Sequence, residues 1–164
     1  MDRRKFIFNG SRLFISSLCI PKFAKTKPQN IKVDIKQITF GSEHHFFGYI
    51  GQSLTIPWNK IGNRLICLSS SFHDHLPGKG EAANVNLIYL DRKQKVGYEV
   101  EKLDESRGWN PQQGTMFYWN PHQPNHQFFF NDRDPKTGVV FTSLYDIKKR
   151  KRIKKYHYKQ KSFG

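Results

Sequence analysis

Cysteine, acidic residues and long apolar runs are all scarce in this sequence. Cys19 and Cys67 are the only two cysteines among 164 residues, which is too few for a disulfide framework. Neither belongs to a Cys-x-x-Cys pair, so a structural zinc site is not expected. No apolar run reaches the roughly 18 residues that a transmembrane helix requires, which excludes a stable helical span. No Gly-x-x-x-x-Gly-Lys-Ser/Thr occurs, and Gly78-Lys79-Gly80 is too short for a phosphate loop. Acidic residues number 13 against 28 Lys and Arg, a formal net charge of +15.

That excess is terminal. Residues 1–27 carry a net of +6 and residues 148–164 a net of +9, while the 12 basic and 12 acidic residues between 28 and 147 cancel. A nucleic-acid domain spreads its cations over the face that meets phosphate, so a neutral body argues against DNA or RNA as the partner. The aromatic share, 15%, is too high for a disordered polyelectrolyte and points to a folded chain.

The N-terminal charge has its own explanation. A basic start, a moderately apolar stretch from Phe14 to Ile20 and an exit at Pro21 to Ala24 give residues 1–25 the three-part layout of an export signal. Arg3-Arg4 followed by Lys5, Phe6 and Ile7 resembles the twin-arginine signal, with Asp2 where Ser is commonest. The resemblance implies a twin-arginine export partner and a periplasmic or extracellular location. Leu18 precedes Cys19 where a lipoprotein signal has a small residue, which argues against lipidation.

Residues 26–39 are polar and basic, and the alternation of Ile31, Val33 and Ile35 predicts a linker leading into a short first strand. Beyond it the apolar runs are short, aromatic and β-branched, and separated by Gly, Pro and Asn, so the fold class is all-β. Strands are predicted over His45 to Tyr49, Ser53 to Ile56, Arg64 to Ser70, Asn84 to Leu90, Val96 to Lys102, Thr115 to Trp119, His126 to Asn131, Val139 to Tyr145 and Arg152 to Tyr158. Read in fours they repeat. Trp58 and Trp119 stand 61 residues apart and Asp91 and Asp146 stand 55 apart, each Asp closing a third strand before a basic turn. A four-stranded antiparallel meander recurring at this period predicts about two β-propeller blades, over 40–104 and 105–158. An all-β sandwich with chance alternation is the competing fold.

Three segments carry a family resemblance: Glu43-His44-His45-Phe46-Phe47-Gly48-Tyr49, Trp109-Asn110-Pro111-Gln112-Gln113-Gly114, and Asn131-Asp132-Arg133. In this order they resemble the opening blades of exported bacterial β-propeller proteins related to polysaccharide lyases such as ulvan lyase and oligogalacturonate lyase. The resemblance implies a ring of about seven blades that acts on, or binds, an acidic polysaccharide.

Elimination from a uronate polymer needs the carboxylate neutralised and a base beside it. His44, His45, Tyr49 and Arg133 are the catalytic candidates, and Gln112, Gln113, Asn131 and Trp109 the substrate-binding ones. Each also has a structural reading: core packing or strand capping for the histidines, a turn role for Arg133, backbone satisfaction for the glutamines. His73-Asp74-His75 has ligand chemistry, but Pro77-Gly78-Lys79-Gly80 beside it marks a solvated loop, so no metal is assigned and the cofactor is left open. A closed ring needs at least about four blades. The chain therefore reads as the N-terminal part of a longer propeller, inactive alone and in need of further blades. Lys148 to Gly164 reads as a lysine-rich tail that leaves the strand pattern. A non-catalytic module that binds acidic glycan or a partner chain is the alternative function.

Overall fold

A computed structural model of the chain describes residues 32–47 and 56–157. The leader-like stretch, Tyr49 and the run Ser53 to Thr55 lie outside the described residues. The chain divides into Met1–Ile35 and Lys36–Gly164. Residues 32–35 of the first part have no regular secondary structure, and Val33 and Ile35 are exposed. The short first strand expected within residues 26–39 is therefore absent from the described residues 32–39.

The second part holds eight strands: β1 (His44–Phe46), β2 (Arg64–Ser70), β3 (Ala83–Lys93), β4 (Tyr98–Ser106), β5 (Tyr118–Trp119), β6 (Gln127–Arg133), β7 (Val140–Asp146) and β8 (Lys151–His157). There is no helix among the described residues, and so none that is long and apolar enough to cross a membrane. Two four-stranded antiparallel sheets result, ordered β1-β2-β3-β4 and β5-β6-β7-β8. Within each sheet every strand pairs with its neighbours in sequence, as consecutive strands commonly do.

Several strand ends differ from the sequence reading for local reasons. The fourth strand starts at Tyr98 rather than Val96 because Gly97 turns with φ +75°. A Cβ at that position would lie 2.8 Å from the Ile38 carbonyl, so only glycine fits. The third strand runs past Asp91 to Lys93, so Asp91 does not close it; register pairs Tyr89 with Arg64 as Asp146 pairs with Gln127. The lysine-rich end keeps the strand pattern through His157: β8 pairs with β7 from Asp146↔Lys151 to Phe141↔His157. Exposed lysines on this edge strand discourage further pairing.

The sheets repeat one another, and the way they stack is informative. Asn59 and Asn120 each donate their backbone N–H to the first residue of the following strand, Arg64 at 3.0 Å and Gln127 at 2.9 Å. This sets Leu65, Cys67 and Ile88 equivalent to Phe128, Phe130 and Tyr145 on one face, and Ile66 and Leu87 equivalent to Phe129 and Leu144 on the other. The main core joins the Ile66 and Leu87 face of the first sheet to the Phe128, Phe130 and Tyr145 face of the second, with Trp109, Phe117 and Trp119 between them. Unlike faces meet, head to tail. Leu65, Cys67 and Ile88 form a separate cluster covered by Ile38 and Phe47. The Phe129 face of the second sheet is the outer one, where Tyr156 packs edge-on to Phe129 and stays partly exposed. Each fully buried Phe contributes about 1.5–3 kcal/mol. The Trp119 indole also donates to the Pro57 carbonyl at 3.0 Å, crossing between the sheets.

Candidate functional site

A cleft of about 260 Å³ opens where the end of the first sheet meets the second, lined by Gly78, Lys79, Arg107, Trp109, Arg133 and Gly138 among others. Three stretches of chain build it. The β2–β3 loop makes a turn in which the Glu81 carboxylate accepts the Gly78 N–H at 2.7 Å and the Gly78 carbonyl accepts the Glu81 N–H at 3.1 Å. This presents Lys79 at the rim. The Trp109 indole N–H donates to the Glu81 carbonyl at 3.1 Å, tying that turn to the floor.

Arg107 follows the end of β4 and Arg133 ends β6. The segments touch closely: a Cβ on Gly108 would lie 2.7–2.9 Å from the backbone of Asp132. The third stretch is the β6–β7 turn. There the Asp134 carboxylate accepts the Lys136 and Thr137 N–H groups at 2.9 and 2.8 Å, and Gly138 takes φ +75°. Those two N–H groups hold the Asp134 carboxyl below its ordinary range.

The charged side chains that line the cleft, Lys79, Arg107 and Arg133, are all cations. Among the described residues no carboxylate lies within ion-pair distance of Lys79 or Arg133, and Arg107 has only Glu105 at 3.8 Å. Glu105 is itself engaged by Lys102 at 2.7 Å. Converging cations with low-dielectric walls focus an attractive field on anions. Guanidinium groups match the planar, bidentate geometry of a carboxylate.

Of the candidates taken from sequence, Trp109 and Arg133 come together in this cleft. Trp109 is only 5% exposed, with the Phe46 and Phe72 rings tilted against it at 5.9 and 5.4 Å, so it forms a floor and not an open stacking platform. Asn131 supports the scaffold: its carbonyl accepts the hydroxyls of Ser106 and Thr115, and its side-chain oxygen accepts Thr142 Oγ1 at 2.8 Å. Gln112 and Gln113 lie exposed in a turn closed by two backbone bonds between Asn110 and Gly114, with Gln113 N–H on the Asn110 side chain at 2.6 Å. His44 is exposed beside the His73 ring, at 4.1 Å. Tyr49 lies outside the described residues. Lys79 and Arg107 escaped sequence reasoning. The glycines that flank them, Gly78 and Gly108, were the available signal.

His45 is half-buried and faces away from His44, as alternation along a strand requires. Burial pushes its pKa below 6.5, against the opposing pull of Glu43. The folded chain therefore binds this proton less readily than the unfolded chain, so the site weakens the fold as pH falls below 6.5. His75 has the opposite sign. Its bond to Asp74 raises its pKa, so its contribution is full below 6.5 and fades as pH rises through the folded value. Chemical denaturation at pH 7.5 and 5.0 should show a smaller acid-induced loss of stability in His45→Gln than in the parent. An identical loss in both would assign the effect elsewhere.

The Cys67 thiol is buried, and that burial pushes its pKa up to about 12, which removes it as a nucleophile. No group of three or more His, Cys, Asp or Glu able to hold a metal ion occurs among the described residues. Compared with family models, curated proteins and solved structures, the chain finds no match.

Proposed function

We propose that the two sheets are consecutive blades of a β-propeller and that the cleft at their junction binds a carboxylate of an acidic, uronate-containing polysaccharide. The observation that carries the binding is the convergence of Lys79, Arg107 and Arg133, two of them without a carboxylate partner among the described residues. The blade reading is supported by the head-to-tail stacking. A sandwich joins equivalent inner faces of its two sheets and leaves both outer faces polar. Here the face that one sheet buries is the equivalent of the face the next leaves outside, as in radial repetition, and two such sheets make only part of a ring.

A lyase also needs a base against the substrate. Neither an imidazole nor a phenol of the described residues lines the cleft, so the geometry favours binding over elimination. Such polymers lie outside the cytoplasm, which accords with the twin-arginine-like leader.

The test is calorimetric titration of the chain with polygalacturonate, ulvan and a neutral glucan. Loss of a charge-assisted contact costs about 1.5–3 kcal/mol, so Arg107→Ala and Arg133→Ala should each weaken uronate binding roughly ten-fold or more. Lys79→Ala, at the rim, should act mainly through salt dependence. Equal affinity for the neutral glucan, or unchanged binding in the double arginine variant, would overturn the reading. Release of unsaturated uronate product would bring the lyase function forward.

A further inference from the structure

The two cleft arginines share one anchor. Asp132 is 5% exposed, and its Oδ1 accepts the backbone N–H of Arg107 at 2.7 Å and of Arg133 at 2.8 Å. Its Oδ2 accepts Arg152 Nη1 at 2.6 Å, and the same guanidinium reaches Asp104 at 2.7 and 2.9 Å and the Glu105 carbonyl at 2.7 Å. One carboxylate therefore fixes the main chain from which both guanidinium groups leave, one following the first sheet and one in the second. Gly108 permits the approach. We propose that Asp132 is the positioning residue of the cleft: its Oδ1 sets the mutual placement of Arg107 and Arg133, while its contact with Arg152 serves the packing of the sheets.

This rests on the binding reading of the cleft, and the two can be separated by experiment. Asp132→Asn keeps an oxygen for both N–H groups but loses the ion pair. Arg152→Met leaves both N–H bonds in place. Asp132→Ala removes everything. Titration with polygalacturonate, at a temperature where each variant is folded, should give about ten-fold weaker binding or worse for Asp132→Ala. Both other variants should stay within about three-fold of the parent despite lower melting temperatures. Hydrogen exchange of the Arg107 and Arg133 amides should accelerate in Asp132→Ala alone, a readout that needs no ligand.

A loss in Arg152→Met as large as in Asp132→Ala would overturn the positioning role, as would unchanged exchange of the two amides in Asp132→Ala. If the parent binds no uronate polymer, the binding reading falls and the exchange result alone decides the role of Asp132. Should Asp132→Ala fail to fold, the other two variants carry the test, and loss of binding in either one overturns the proposal.

Discussion

Phe128→Ala should lower the unfolding free energy by about 3–5 kcal/mol, the range for truncating a fully buried aromatic. Phe128 has no exposed surface and packs against Phe117, Trp119, Phe130 and Tyr145 at ring separations of 5.4–6.0 Å. Trp119, Phe130 and Tyr145 are held in strands by ladder hydrogen bonds and Phe117 directly precedes one, so the cavity cannot collapse cheaply. A domain of this size holds only about 5–15 kcal/mol in total, so the variant should lose roughly a fifth or more of its stability. Urea denaturation followed by near-ultraviolet circular dichroism measures this. Phe129→Ala, on the opposite face and only half-buried, should cost well under half as much. Equal costs would mean that both faces of the second sheet are cores and that the head-to-tail stacking is wrong.

Much of this architecture was legible in the chain. Arg64 to Ser70 has four apolar residues, Leu65 to Leu68, between Arg64 and two serines; it is bounded by Gly62-Asn63 and the loop from Ser71, and it forms a strand with those limits. Runs such as Phe128-Phe129-Phe130 can only be strands when turn residues cut them this short. The lysine-rich end reads both as a strand over Arg152 to Tyr158 and as a tail that leaves the pattern, and β8 follows the strand reading because alternation outweighs composition there. In β8, Arg152 turns inward to the ion cluster and Tyr156 outward to Phe129, so part of the terminal charge excess is structural.

The cleft was legible only in halves. Trp109 and Arg133 stand in motifs, whereas Lys79 comes from a loop that sequence marks merely as solvated. Arg107 matters because Gly108 lets its segment lie on Asp132, a tertiary contact that no local pattern encodes. The histidines and glutamines drew notice for their chemistry. Their neighbours show local roles: a ring beside His73 for His44, and a turn between Asn110 and Gly114 for the glutamines.

Arg152→Met should be the second costly change, at about 3 kcal/mol, although it exchanges one long side chain for another. The guanidinium is the sole cation in ion-pair contact with Asp104 and Asp132 among the described residues, and it also lies 5.0 Å from the centre of the Phe130 ring. Removing one partner of a largely buried pair leaves the other charge without its counter-ion, and here two carboxylates from different sheets, Asp132 buried and Asp104 partly so, would lose the same cation together. Exposed β8 lysines such as Lys154 have water as the alternative partner, so Lys154→Met should change stability by less than about 0.5 kcal/mol. A double-mutant cycle with Asp104→Asn should recover part of the Arg152→Met loss, because it removes one of the stranded charges. The cost should also depend weakly on salt, since buried pairs are poorly screened. An Arg152→Met cost as small as that of Lys154→Met would show that apolar packing alone holds the sheets together. Asp132 would then be free to serve the cleft without any link to the stacking.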